Sequence, residues 1–419
     1  MRALVSLTCL ALATIVAGCD VASGEATATA PATALRVAAW PLPAPDGAAQ
    51  PDLVAAPDGT LLLSWIEPRG EGHVLRFARH GADGWSTPRT IGSGDDWFVN
   101  WADTPHLAAT ADGALWAHWL RKSAAATYAY DVVLTRSADG GDTWSDPFAV
   151  NQDGTPTEHG FVAMWPAGES SLGIAWLDGR ATGGGHGGHE GHGGGMMTLR
   201  TARFDASLAR HDESRLDASA CDCCQTSAAM AAGGSIVAYR DRTQDEIRDI
   251  AVVRQVDGQW RDPRIVHADA WEMPACPVNG PALDARGDAV VVAWYTAAGG
   301  RPRVRVAGSA DGGASFDAPV DLDAGANVQG RLAVALGESG TWIAWLREGA
   351  DGQSLQLARF SGSLANSPVT RQVATLAGRG RGTGFPQVAV LPDSRAYLAW
   401  TEIVDGQARL RGAAVTVSR

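Results

Sequence analysis

Cysteine and histidine carry the most pointed chemistry in this chain. Cys221-Asp222-Cys223-Cys224 places three thiols within one turn, and Cys276 follows in the segment Pro274-Ala275-Cys276-Pro277. Three chemistries are open to such a set. One or two disulfides would form in an oxidising compartment, but Cys276 cannot pair with three thiols, so a second bridge would be local and strained. A thiolate site for copper(I) or zinc suits the softness of the donors. A redox-active thiol cluster is the third. Upstream, a glycine-rich insertion from Gly183 to Met197 carries His186, His189, Glu190, His192, Met196 and Met197. Such a chain can wrap a soft or borderline ion and recruit it to the cysteines. The plainer reading is a low-complexity loop, since ordering it costs entropy and keeps affinity modest.

A repeat must bring these segments together, and one runs down the chain. Each unit has an apolar alternation, a tight turn, an apolar strand ending in Trp or Tyr, a loop, a third strand, a Gly-rich turn and usually a fourth strand. The end aromatics are Trp65, Trp119, Trp176, Tyr239, Trp294, Trp345 and Trp400, spaced by 54, 57, 63, 55, 51 and 55 residues. Runs such as Leu61-Leu62-Leu63-Ser64-Trp65 suit buried strands, and Pro57-Asp58-Gly59 and Ala111-Asp112-Gly113 suit hairpin turns. Four strands repeated radially describe an all-β propeller. Seven units are counted, with six the alternative. The last has three strands from Phe385 to Ser418, and the unpaired strand Leu35 to Trp40 is expected to complete it and remove an exposed edge.

The third turn carries a family resemblance. Ser137-Ala138-Asp139-Gly140-Gly141-Asp142-Thr143-Trp144 matches the Asp-box S-x-D-x-G-x-T-W, and Ser309-Ala310-Asp311-Gly312-Gly313-Ala314-Ser315-Phe316 matches with Ser and Phe substituted. Degenerate copies stand at Asp83-Gly84-Trp85 and Asp257-Gly258-Gln259-Trp260. This resembles the BNR repeat of sialidase-like propellers, and the box is structural, so it implies a fold more than an activity. The resemblance implies, as one function, a sialidase-type glycoside hydrolase: an arginine clamp for a carboxylate, a Tyr activated by Glu, and an Asp as acid/base. Arg180, Arg240 and Arg381 are candidates for the clamp, with Asp103, Asp178 and Asp241 nearby and Tyr295 as the nucleophile. The Arg-Ile-Pro motif of sialidases is absent, and the sequence offers no convincing Tyr/Glu pair.

In a four-stranded meander, the loops between blades and those after the second strand open on one face, and the Asp-box turns on the other. This rule gathers the unusual sequence on one side: Trp97 and Trp101, Glu158 and His159, Asp178 and Arg180, Cys221 to Cys224, Arg240 and Asp241, and Cys276 with Asn279. The reading preferred here is metal or small-ligand binding on that face by Cys221, Cys223, Cys224 and Cys276, with His186, His189 and His192 assisting. Glycoside hydrolysis is one alternative. A non-catalytic face recognising carbohydrate or protein is the other, with Trp97, Phe98, Trp101, Phe161, Trp271 and Tyr295 supplying contact area, unless they pack between blades.

The beginning of the chain speaks to location. Arg2 and the apolar run Ala3 to Val16 are too short for a permanent span, and Val16-Ala17-Gly18-Cys19 resembles the lipobox of bacterial lipoproteins. The resemblance implies a signal peptide over 1–18, acylation of Cys19, a flexible tether over 19–33 and a single propeller over 34–419, held at the inner or outer membrane and facing the periplasm or the exterior. A net charge of −12 argues against nucleic acid as a partner. The expected partners are the membrane through the lipid, and a glycan, small molecule or metal; a monomer is expected.

Overall fold

Fifty glycines and runs of Val, Leu, Ala and Trp favour short strands joined by tight turns. The computed structural model describes residues 34–183, 195–350 and 352–418, and in it those strands form seven antiparallel sheets. Cys19 and the histidines 186, 189 and 192 lie outside the described residues. Blade 1 begins with Ala49–Ala55, blade 2 with Leu107–Ala109, blade 3 with His159–Pro166, blade 4 with Ser227–Ala231, blade 5 with Ala282–Arg286, blade 6 with Val328–Gly337 and blade 7 with Gln387–Val390. These seven first strands touch their neighbours in a closed ring around the central channel. The count is therefore seven, not six.

Blade 7 has three consecutive strands and takes its fourth from the other end of the chain: Ala34–Ala39 pairs antiparallel with Gln407–Ser418, from Ala34 opposite Ser418 to Ala39 opposite Ala413. The only helical turns among the described residues are 3-10 turns at Ala298–Gly300 and Gly380–Thr383, and no helix there is long and apolar enough to cross a membrane.

Because each sheet is covered on both faces, its central strands read as continuous apolar runs. Seven hydrophobic clusters fill the seven gaps between blades. The aromatics that end the second strands stand inside them, and most have a polar tie. Trp65 donates to Glu67 at 2.7 Å, Trp176 to Asp178 at 2.8 Å, Trp294 to Asp269 and Trp345 to Asp323 at 2.7 Å each. Tyr239 bonds Asp217. These four buried indole N–H groups are thus satisfied by carboxylates.

The two full box turns fold alike. Asp139 accepts from Ser137 Oγ at 2.7 Å, from the Thr143 backbone N–H at 2.9 Å and from Thr143 Oγ1 at 2.6 Å, and Asp311 repeats this with Ser309 and Ser315. These bonds hold both carboxylates well below the ordinary range. Gly141 has φ 97° and lies so close to blade 1 that a Cβ would stand 2.2 Å from Phe77 Cζ, so the turn doubles as an inter-blade contact.

Removing residues 34–39 should open the ring. Leu35 is buried and Val37 packs on the same cluster, and burying one such side chain is worth about 1.5–3 kcal/mol. The truncated chain is expected to lose at least about 3 kcal/mol in urea unfolding and to aggregate through its exposed edge. A chain lacking only residues 20–33 should unfold like the parent.

Candidate functional site

The loops that carry the unusual residues meet at one mouth of the channel. Cys221 follows a bridge between Ala220 and Asp241, and its N–H donates to Arg240 O at 2.9 Å, which fixes the start of the Cys-x-Cys-Cys turn. The Cys276 loop is tied at both ends: Met273 N–H donates to Glu246 O at 2.9 Å, and Gly280 N–H donates to Gln225 Oε1 at 3.1 Å. Gly280 lies against the backbone of Gln225, where a Cβ would stand 1.9 Å from its oxygen. Only glycine allows the two cysteine loops to approach so closely.

The result is a cluster of four free thiols. The sulfurs of Cys221, Cys223 and Cys224 lie within 4.8 Å of one another, with Cys221 Sγ 4.0 Å from Cys223 Sγ and 2.6 Å from Cys224 Sγ. Cys276 stands in the adjoining loop, which Gly280 ties to the loop of the other three. Cys221 and Cys224 are buried, Cys223 is half-buried and Cys276 is exposed. Arg248 Nη1 donates to Cys221 Sγ at 3.2 Å. Burial opposes the Cys221 thiolate, but hydrogen bonds from Cys223 and Cys224 and the Arg248 charge outweigh it and hold this thiol well below its ordinary range. Burial pushes Cys224 the other way. Around the sulfurs, Arg242 pairs with Asp222 at 3.0 Å and with Glu246 at 2.6 Å, and Arg248 pairs with Glu246 at 2.8 Å.

Beside the thiols stands an acidic group that the sequence did not reveal. Tyr130 donates to Glu158 Oε1 at 2.6 Å and lies 3.3 Å from Asp103 Oδ2. A Tyr/Glu pair therefore exists, correcting the reading from sequence: it joins the start of a blade-2 strand to the loop into blade 3. Tyr130 looks like any strand residue in its local pattern, and only the ring brings Glu158 to it. Phe98 stacks on the Tyr130 ring at 4.0 Å, and the hydroxyl is buried. Burial pushes Asp103 up to about 7 and Glu158 up to about 8. For Glu158, the nearby charges of Asp103, Asp222 and Cys276 add to the rise, which places the acids and the thiols in one electrostatic patch.

Of the other residues singled out from sequence, His159, Asp178 and Arg180 gather around Asp153, while Arg240, Asn279 and Tyr295 meet on another part of the rim. Arg240 is buried and gives its N–H groups to the carbonyls of Asn279, Arg248 and Tyr295, at 2.6–2.9 Å, over the Trp271 ring. Asn279 is the matching joint, since its Oδ1 accepts from Arg331 N–H at 2.7 Å. Arg180 is held by both oxygens of Asp178 at 2.7 Å and so is occupied by a carboxylate of its own chain. His159 is buried, with Nδ1 facing the Tyr130 and Thr157 carbonyls and Nε2 3.1 Å from Asp153. Tyr295 packs edge-on to Trp271 and bonds no carboxylate among the described residues. Asp241 is pushed up to about 6 by burial.

Among the aromatics, Trp97, Phe161 and Trp271 are buried, and Trp97 stacks on Trp119 between blades 1 and 2. Trp101 is half-buried, stacked on Phe385 at 5.9 Å and covered by the guanidinium groups of Arg331 and Arg381. A cavity of about 60 Å³ beside it, lined by Gln50, Thr104, Phe385 and Gln387 among others, has room for water but not for a sugar ring.

No protein-family model matches this sequence, and no curated protein does. Solved structures do. The chain is similar to a protein of unknown function from Dyadobacter fermentans, at 14% identity and TM-score 0.50 over 89% of this chain and 95% of that one. It is similar to a polysaccharide lyase at 9% identity and TM-score 0.52, over 89% and 90% of the two chains. A variant of NanB sialidase from Streptococcus pneumoniae follows at 8% identity and TM-score 0.47, over 85% and 83%. At such identities the likeness is one of fold. It agrees with the seven-bladed propeller described above.

The raised acids give a pH signature. Asp103 and Glu158 ionise near 4 in an unfolded chain (about 3.9 and 4.3) but stay neutral in the fold to about 7 and 8. Their stabilising contribution is complete below the unfolded values, falls from about pH 4 as the unfolded chain ionises first, and is gone once pH has passed about 7 and 8. Urea unfolding at stepped pH is therefore expected to show stability falling across that window, and Glu158→Gln should flatten the fall. An equally steep fall in the variant would remove Glu158 as its source.

Proposed function

We propose that this protein is a lipid-anchored envelope propeller that binds a soft metal ion, copper(I) or zinc, on its inter-blade loop face through Cys221, Cys223, Cys224 and Cys276. The observation that carries this is the cluster itself: three sulfurs within 4.8 Å of one another, with the Cys276 loop held against theirs by Gly280 and Gln225. Thiolate donors select such ions by softness. Two sulfurs on one tetrahedral zinc, each about 2.3 Å from it, stand close to the 4.0 Å separating Cys221 from Cys223. Cys224, at 2.6 Å from Cys221, would have to swing outward. When bound, the ion supplies a soft Lewis-acidic centre. The chain's own part is to set the Arg248 N–H on the Cys221 sulfur, to exclude water by burying Cys221 and Cys224, and to leave access at Cys276. The lipobox-like Cys19 supports the anchor, and the His-rich segment 184–194 supports a recruiting role.

Reduced protein exported to a periplasm is expected to hold about one copper(I) or zinc per chain, competed away by a chelator of known affinity. Cys221→Ser should weaken binding by at least about 100-fold, and Arg248→Gln, which removes the sulfur's partner together with its pairing to Glu246, by about 10–100-fold. Deleting residues 184–194 should lower affinity without changing stoichiometry. No metal and no titratable thiol in freshly isolated protein would overturn the reading and leave the cysteines as structural bridges.

One observation favours a second reading, glycoside hydrolysis of the sialidase type: Tyr130, Glu158 and Asp103 are the residue types that the resemblance requires, held within 3.3 Å. Against it, the Tyr130 hydroxyl is enclosed and both Arg180 and Arg240 are already engaged. This reading requires release of 4-methylumbelliferone from its sialoside and loss of that release in Tyr130→Phe; no release over a broad pH range would dismiss it.

A further inference from the structure

We propose that the four cysteines form a thiol–disulfide relay, carrying an oxidising equivalent from a small external disulfide through Cys276 and Cys223 to the buried Cys221–Cys224 pair. The relay is a second activity of these sulfurs and needs no bound ion. It rests on two observations. Exposure falls along the series, from exposed Cys276 to half-buried Cys223 to buried Cys221 and Cys224. The sulfurs are also neighbours: Cys223 lies 4.0 Å from Cys221 and Cys221 2.6 Å from Cys224, and the loop that carries Cys276 is laid against theirs where Gly280 meets Gln225. A small disulfide can reach the first sulfur but not the last two, so oxidation of the inner pair must pass through the outer one.

The chain is built to support such transfer. Cys276 sits in an irregular loop tied at Met273 on one side and at Asn279 and Gly280 on the other, which leaves its exposed sulfur at the entrance to the cluster. The Arg248 N–H reaches the Cys221 sulfur at 3.2 Å, which holds that sulfur in place beside Cys223 and Cys224. Arg248 is itself held by Glu246 and is buried with 2% of its surface exposed, so the donor is fixed in place.

The steps balance as thiol–disulfide exchange. The Cys276 thiolate attacks one sulfur of the external disulfide, forming a mixed disulfide and expelling one thiolate. Cys223 attacks the Cys276 sulfur, forming Cys223–Cys276 and expelling the second thiolate. Cys221 then attacks Cys223 and releases Cys276, and Cys224 attacks Cys221 and releases Cys223. The two protons lost by Cys221 and Cys224 leave on the two thiols of the reduced external partner. In sum, one external disulfide is reduced and the Cys221–Cys224 bridge is formed.

The test uses reduced, metal-free protein beginning at Asp20 and oxidised glutathione, with acid quenching, alkylation and peptide mass analysis over time. Trypsin leaves Cys221, Cys223 and Cys224 in the peptide 216–240 and Cys276 in the peptide 265–286. A Cys223–Cys276 bridge therefore links two peptides, whereas a Cys221–Cys224 bridge lies within one. The linked pair is expected to rise first and to decay as the internal bridge accumulates. Cys223→Ser should stop at glutathione on Cys276, and Cys276→Ser should slow formation of the internal bridge at least about tenfold. An internal bridge forming at the parental rate in Cys276→Ser overturns the relay, as does an absence of glutathione on Cys276 in Cys223→Ser. The two variants read different steps, so failure of one to fold, seen in its melting curve, leaves the other decisive. Ion binding is scored separately on reduced protein, so an intact relay without ion binding, or the reverse, tells the two readings apart.

Discussion

Everything in this molecule depends on closing a ring of sheets. A single four-stranded blade cannot bury both of its faces, and a row of seven would end in two exposed edges. Pairing Ala34–Ala39 with Gln407–Ser418 resolves both problems, because it completes blade 7 and lets its apolar face meet blade 1. Trp40, immediately after that strand, lies in the same gap with Tyr397 and Trp85. The hydrophobic effect supplies the driving force in all seven gaps, but the pairing of the two chain ends decides whether all seven exist at once.

Ring closure also determines what the loops can do. Successive inter-blade loops become neighbours at the channel mouth although tens of residues separate them in sequence, and that is how the loop of Cys276 comes to lie against that of Cys223. The inner strands accommodate this crowding with bulges. Gln50, Phe161 and Arg331 have φ of 56°, 51° and 54°, in the left-handed region unusual for such residues. Each sits at a register shift near the start of its strand. The bulges sit where backbone from the next loop must fit, and Arg331 N–H there donates to Asn279. Strain of this kind persists only where the surroundings over-determine it, and here three neighbouring loops do so.

The fold was legible because its signals are local and repeated. The end aromatics from Trp65 to Trp400 fall in second strands, the box turns at Asp139 and Asp311 follow third strands, and the N-terminal strand stands where an incomplete seventh unit required one. The neighbourhood of the four cysteines was legible for the same reason, since blade order alone made their loops adjacent. Pairwise chemistry was not. Tyr130 and Glu158 belong to different blades, and no spacing rule links them. Arg240 looked like an available clamp, yet the carbonyls of Asn279, Arg248 and Tyr295 converge on it, and backbone acceptors leave no trace in a sequence. Arg248 carries no mark in the sequence, because a guanidinium facing a sulfur is a matter of side-chain direction.

The chemistry of the mouth follows from where charge is tolerated. Arg242 and Arg248 face Asp222 and Glu246, so the cations are largely met by carboxylates, and the Arg248 N–H that reaches Cys221 favours a single anionic sulfur. Further negative charge is resisted: Glu158, within the field of Asp222 and Cys276, is held neutral to about 8. Several thiolates gathered at this spot would repel one another and Glu158 alike, in a setting too buried for water to screen them. Two changes relieve that repulsion: a cation among the sulfurs, or covalent pairing that removes their charge. The same electrostatics therefore favours both ion binding and disulfide formation, and makes them alternatives at any moment, because a sulfur committed to a bridge with its neighbour is no longer a thiolate donor. Oxidation entering at Cys276 would then displace an ion held at Cys221, tying the two proposed activities to a single set of atoms.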